Sequence, residues 1–234
     1  MTNWSKLRIF LGFGLTLGVL FLLFGNGHID IAVENVIFQE EHGGFVLRHA
    51  PWAMMVYHSS KIVMAGIGLL FIFWAVKAWR SPRSPFSGKD FLIGLLGMIA
   101  ILGSIDAIKR LFGIECPWSI DLFGGALPYH PLDTELPRCF LNHECGGRCF
   151  PAGHAMAGFY LVAWAMAFWN CYRRFAYTIL IIGIVSGFLL GSFRMIQGAH
   201  FFSHMFFSCW LALFLAYLVR VIVMSWPSNT KKDS

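Results

Sequence analysis

Apolar residues fall into six runs with few or no charges: 9–24, 62–76 with an extension back past a lone Lys61 towards Trp52, 91–105, 150–172, 175–193 and 201–219. A helix needs about 20 predominantly apolar residues to cross a bilayer, and a helix satisfies its own backbone hydrogen bonds there. The pattern predicts an all-α, polytopic membrane bundle of six helices. The polar segments between the runs differ in character. Residues 77–90 make a short basic turn rich in Ser and Pro. Residues 111–150 make a long loop carrying Pro117, Gly124, Gly125, Pro128, Pro131, Pro137, Gly146 and Gly147, and long loops in compact folds are usually functional. Within 25–51, the pattern over 29–38 predicts a short amphipathic helix at the membrane surface. No internal repeat divides the chain, which reads as one domain over 1–234 with its motif-bearing core in 105–220.

Composition supports the membrane reading. Of 234 residues, 57% are hydrophobic and 13% charged, too little charge to cover a soluble domain of this size. Lys6 and Arg8 before the first run imitate a signal peptide. The run closes on bulky Leu23 and Phe24 without a small-x-small site, so a retained helix is expected. Basic residues set the orientation. With the N-terminus inside, the cytoplasmic segments hold Lys6, Arg8, Lys77, Arg80, Arg83, Lys89, Arg173, Arg174, Arg220, Lys231 and Lys232. Both termini are then cytoplasmic, and the segments 25–51 and 111–150 face outward, as in a bacterial inner membrane facing a periplasm. The net charge of +6 follows from this asymmetry and from phosphate-handling residues, so no nucleic-acid partner is expected.

Cys116, Cys139, Cys145 and Cys149 all fall in the outward loop. An even number in an oxidising compartment predicts two disulfides, with three possible pairings. The rival arrangement is zinc, because Cys145 and Cys149 stand near metal-ligand spacing with His130 and His143 available. No metal or other cofactor is the favoured expectation.

Ionisable groups at the ends of membrane helices are costly and point to function. Asp106, Lys109 and Arg110 end the third run, residues 149–154 open the fourth, and residues 194–204 join the fifth to the sixth. Together they describe a phosphate site at the outer face. Lys109 and Arg194 supply positive charge, with Arg110 adjacent. The turn through Pro151, Ala152 and Gly153 offers N–H groups at a helix N-terminus, where anions are favoured. His154 and His200 are two imidazoles, one able to attack phosphorus and one able to protonate the leaving oxygen. His204 lies four residues after His200, on the same helical face, placed to orient it.

These residues resemble the type 2 phosphatidic acid phosphatase superfamily, whose pattern is K-x6-R-P, then P-S-G-H, then S-R-x5-H-x3-D. Here the first motif runs from Lys109 to Cys116-Pro117, the second is Pro151-Ala152-Gly153-His154, and the third runs Phe193-Arg194, His200, His204. The resemblance implies a phosphohistidine mechanism without metal. His200 would be the nucleophile and His154 the general acid, with Lys109, Arg194 and the Gly153 N–H on the phosphoryl oxygens. It implies as partners the bilayer and a phosphorylated lipid of the polyprenyl diphosphate, lipid A or glycerophospholipid class. Four positions depart from the pattern. Cys116 stands for the first motif's arginine, a role open to Arg110, Arg138 or Arg148. Ala152 and Phe193 stand for two serines, and His204 for the aspartate that holds the nucleophile's other ring nitrogen. Rival functions are a lipid phosphotransferase, a non-catalytic lipid-binding or transport protein, and a zinc enzyme using His154, His200 and His204.

Overall fold

All the regular structure is helical in what the structure, a computed structural model, describes: residues 3–42, 44–142 and 146–227. The order is α1 (Asn3–Phe24), α2 (His28–Ile37), α3 (Pro51–Arg80), α4 (Gly88–Phe112), α5 (Leu132–Asn142), α6 (Gly153–Phe159), α7 (Leu161–Phe168), α8 (Arg173–Ile196) and α9 (Phe202–Ser225). Short 3-10 turns stand between α2 and α3 and between α4 and α5. No β-strand occurs among the described residues.

Five helices, α1, α3, α4, α8 and α9, are long and apolar enough to cross a membrane. Their outward faces are apolar: Leu15, Leu22, Ile62, Leu69 and Leu189 are all largely exposed. In water such patches would be a liability, whereas lipid covers them without cost. This is a multi-pass membrane protein. The fourth expected span is shorter than the sequence suggests. It starts at Gly153 rather than Phe150 and ends at Phe168, about 24 Å at 1.5 Å per residue. Its residues are almost all buried, Met156, Phe159 and Trp164 completely. A helix enclosed by others need not match the hydrocarbon thickness as a lipid-facing one does.

Small residues let the other helices close around that central pair. Gly183, Gly187 and Gly191 recur every four residues along the buried face of α8, the spacing that brings membrane helices into backbone contact. A Cβ at Gly187 would enter the Phe159 ring, and one at Gly94 of α4 would enter Trp164. The outlying α1 packs on α9 through Phe10 and Phe13 against Phe214 and Tyr217.

Helix ends follow their local sequence. α4 opens with a capping box, in which Ser87 Oγ accepts from Asp90 N and Asp90 Oδ2 accepts from Ser87 N at 2.9 Å. It closes at Gly113, in the left-handed conformation (φ 56°), which glycine adopts without a Cβ clash. At that same end as Ser87, Arg220 donates to the Met166 carbonyl and to Asn170, and Lys89 to the Trp226 carbonyl. The opposite end gathers the last turn of α4, the first turns of α6 and α9 and the last turn of α8. Basic Lys77, Arg80, Lys89 and Arg173 sit away from it, at the far ends of their helices; Lys231 and Lys232 lie outside the described residues.

The segment 29–38 is helical as expected, in α2, but its inward face is the acidic one. Asp30 and Glu34 are buried while Val36 is 83% exposed. The long loop also has structure of its own: α5 carries Pro137 within it, and Leu132 packs with Phe24 and Ile114.

Candidate active site

Four helix ends and one loop strand converge on a pocket of about 180 Å³. Lys109 reaches it from the last turn of α4, Gly153 and His154 from the first turn of α6, Arg194 from the last turn of α8, and His200 from the connection into α9. Arg148 and Cys149 line it from the loop. Of the lining side chains three are basic, Lys109, Arg148 and Arg194, and none is a carboxylate. Asp106, one turn before Lys109, is 2.7 Å from Arg110 in an exposed pair. The pocket therefore carries positive charge without a carboxylate to offset it, which favours an anion.

The loop strand is held in register by short contacts. Gly147 N donates to Gly113 O at 2.8 Å and Cys149 N to Ile114 O at 3.0 Å. Cys116 and Cys149 are disulfide-bonded across 33 residues. Cys139 is also in a disulfide, and Cys145 lies outside the described residues, as does His143. Because the Cys149 sulfur is in the bridge, it is not free to serve as a zinc thiolate.

The Cys149 carbonyl organises both histidines of the third motif. His200 Nδ1 lies 2.7 Å from it and His204 Nδ1 3.1 Å. A carbonyl only accepts, so both Nδ1 atoms carry the proton and Nε2 of each ring keeps its lone pair. His200 lines the pocket, and burial, then the nearby His204, Lys109 and Arg194, hold its imidazole well below the usual histidine range. It is neutral at neutral pH, with a nucleophilic nitrogen.

The sequence reading gave that Nδ1 contact to His204, and here the structure differs. The two rings stand 6.2 Å apart at 60°. His204 sits behind the site, 2% exposed, edge-on to Phe150 and Phe201. His200 precedes α9 and its extended N-cap Phe201, so the two residues do not share a helical face, and a backbone carbonyl is the acceptor both of them use.

The other expected residues divide. Lys109 Nζ donates to the Arg148 carbonyl at 2.6 Å, and a Cβ on Gly153 would lie 3.7 Å from that ammonium. Arg194 donates to the buried Gln197 side chain and lies 4.6 Å over the Tyr57 ring and 5.6 Å over Trp118. Arg110 is turned away to Asp106 and does not line the pocket. Ala152 is buried, and its N–H donates to Ser208 Oγ at 2.9 Å, which itself donates to the His204 carbonyl. The N–H therefore braces α9 and does not face the pocket. Arg148, one of the arginines considered for the role that Cys116 cannot fill, lines the pocket.

Two groups escaped sequence reasoning. Tyr57 of α3 stacks on His154, with ring centroids 4.2 Å apart and planes at 22°. Asp30 of α2 accepts from Ser203 N at 2.7 Å and Ser203 Oγ at 2.6 Å, capping the N-terminus of α9, where a negative charge is favoured. The signal for Asp30 was only its spacing from Glu34, which puts both acids on one helix face.

Comparison with known families matches the chain, over residues 91–227, to the family described as the PAP2 superfamily. No curated protein and no solved structure matches it.

Proposed function

The chain belongs to the PAP2 superfamily, whose members are typically phosphatases, and from that premise we propose that it removes phosphate from a membrane lipid through a phosphohistidine intermediate. The observation that carries this reading is the pairing of two imidazoles, His154 and His200, on one carboxylate-free pocket lined by Lys109, Arg148 and Arg194.

Phosphoryl transfer leaves little covalent work for the protein beyond positioning and charge stabilisation. The His200 Nε2 lone pair attacks phosphorus while the bond to the leaving oxygen breaks. That oxygen takes a proton from His154 and departs on the lipid. Lys109, Arg148, Arg194 and the Gly153 N–H stabilise the charge on the three phosphoryl oxygens. The phosphorylated imidazole is cationic, and its Nδ1–H keeps the Cys149 carbonyl as acceptor. A water molecule, giving its proton to His154, then cleaves the P–N bond and releases orthophosphate.

Lipid, rather than a soluble ester, fits the surroundings of the pocket. Beside it runs an apolar groove of about 370 Å³ between α3 and α4, lined by Met64, Leu69, Met98 and Leu102 and edged by Lys61. An acyl or prenyl chain would occupy such a groove while the head group reaches the cations. Candidate substrates are polyprenyl diphosphates, lipid A phosphates and glycerophospholipid phosphomonoesters. The basic helix ends opposite the site favour an outward site at a bacterial inner membrane, with both termini cytoplasmic.

Phosphate release by the purified protein across a panel of these lipids tests the reading. Wild type is expected to turn over at least one, and His200→Ala to lose at least about a thousandfold in kcat, as expected when a covalent nucleophile is removed. Full activity of His200→Ala on that lipid sinks the mechanism.

A further inference from the structure

Lys61 stands eleven positions into α3, after the polar residues His58, Ser59 and Ser60 and at the edge of the long apolar run that begins at Ile62. Charge at that depth is costly and marks function or a specific partner. Among the described residues it has no carboxylate partner. Its ammonium lies 2.7 Å from Tyr57 Oη and 4.0 Å from the centre of the Tyr57 ring. An ammonium has no acceptor, so Lys61 donates and the phenol proton remains for another oxygen.

Tyr57 in turn joins Lys61 to the site, since its ring stacks on His154 and lies under Arg194. Both residues stand outside the segment matched to the family, 91–227. They bring a hydroxyl and a cation to a site that has alanine at 152, phenylalanine at 193 and cysteine at 116. Their position is informative as well. Lys109, Arg148 and Arg194 already surround the pocket that His200 faces. Tyr57 lines the same pocket on the side of His154, the group proposed to meet the leaving oxygen, and Lys61 stands behind it at the edge of the apolar groove. A cation and a hydroxyl on that side suit a leaving group that is itself anionic.

We infer that Tyr57 and Lys61 form a second anion subsite, on the leaving-group side of His154, which takes the lipid-linked phosphate of a lipid diphosphate. The inference rests on the phosphatase reading and narrows its substrate class. His200 Nε2 bonds to the terminal phosphorus, the bond from that phosphorus to the bridging oxygen breaks, and the bridging oxygen leaves on the lipid monophosphate. Tyr57 O–H and the Lys61 ammonium would stabilise the charge gathering there, and water then releases orthophosphate from His200.

The test compares a prenyl diphosphate with the monophosphate of the same prenyl chain, in detergent, for wild type, Lys61→Met, Lys61→Arg and Tyr57→Phe. Wild type should prefer the diphosphate. Lys61→Met should lower the diphosphate-to-monophosphate ratio of kcat/KM by about 10- to 100-fold, the scale of one charge-assisted hydrogen bond. Lys61→Arg should restore most of it, and Tyr57→Phe should lower it by a smaller factor. Equal losses on both substrates, or an unchanged ratio, overturn the subsite and leave the phosphatase reading intact. Calorimetric titration of pyrophosphate and orthophosphate needs no turnover. A Lys61-dependent preference for pyrophosphate in a protein that hydrolyses no lipid keeps the subsite and removes the phosphatase reading. Equal binding of pyrophosphate by wild type and Lys61→Met overturns the subsite by itself.

Discussion

His200 owes its chemistry to a neighbour that is not a side chain. The Cys149 carbonyl fixes its tautomer, where a carboxylate would both fix the tautomer and stabilise the imidazolium. Burial holds the ring neutral against the opposing pull of the Cys149 contact, which favours the proton less than a carboxylate would. Because this histidine's value is lowered, the folded protein resists protonation at pH values where the unfolded chain already accepts it. Activity should therefore hold as pH falls through 6.5, with the acid limb of kcat/KM below that point; a limb at or above 6.5 contradicts the assignment. His204 acts through the same carbonyl. His204→Ala leaves that oxygen with one histidine and opens space beside Phe150, so His200 loses definition. The expected loss is roughly tenfold in kcat with KM nearly unchanged, by analogy with groups that orient a reactive ligand. Steady-state kinetics check it, and a KM effect of the same size would make His204 part of substrate binding. Sequence spacing expected these two rings on one helical face, whereas His200 precedes the helix that carries His204. It could not reveal the acceptor between them, because backbone carbonyls have no sequence signature and every residue carries one.

At the scale of elements, the six apolar runs were legible because lipid imposes them, and the five long helices follow those runs closely. The central helix was less so. Its limits depend on being enclosed by α4, α8 and α9, which no local pattern encodes. Its packing rests on glycines, so Gly187→Leu should drive a side chain into Phe159 and part α8 from α6. Overpacking of this kind costs about 1–3 kcal/mol or more; a lower melting temperature in detergent and faster proteolysis between α7 and α8 are expected, and wild-type stability would refute the contact. Helix α2 was predicted, but its direction of burial was not, since an amphipathic helix on a membrane is expected to bury its apolar face and here Asp30 and Glu34 face inward. Burial raises Asp30 to about 6 against the opposing Ser203 bonds. Burial and then the Asp30 charge raise Glu34 to about 9. A carboxyl with a raised value binds its proton more tightly when folded. Its contribution to stability is full below the unfolded value near 4.5 and is lost as pH rises through about 9. Thermal unfolding should show wild type weakening between pH 6 and pH 9.5, and Glu34→Gln, which cannot ionise, weakening less. An identical pH dependence in the two proteins would remove Glu34 from the account.

For the molecule as a whole, the site is assembled from parts far apart in sequence, with a disulfide at the point where they join. The motif order made Lys109, His154, Arg194 and His200 legible as a set. Tyr57 and Lys61 were not, because α3 carries no motif and Tyr57 sits within an amphipathic-looking approach to an apolar run. What joins the motifs is the loop strand 146–149, fastened to 113–116 by two backbone hydrogen bonds and the Cys116–Cys149 bridge. That strand presents the Arg148 carbonyl to Lys109 and the Cys149 carbonyl to His200 and His204. Bridging 33 residues restrains the unfolded chain by about 3–4 kcal/mol in the chain-entropy view, yet the bundle's cohesion lies in the α4, α6–α7, α8 and α9 packing, away from the loop. Breaking the bridge should therefore release the two carbonyls before it loosens the helices. Cys116→Ser, Cys149→Ser and the double variant should each lose most turnover, roughly tenfold or more by the same orienting-group scale, while helical circular dichroism stays unchanged. The single variants and the double variant should be equally impaired, because either one opens the same bridge. Full activity in the double variant would mean that the two backbone hydrogen bonds alone hold the strand. A loss of helicity matching the loss of turnover would mean that the loop belongs to the folding core instead of the site.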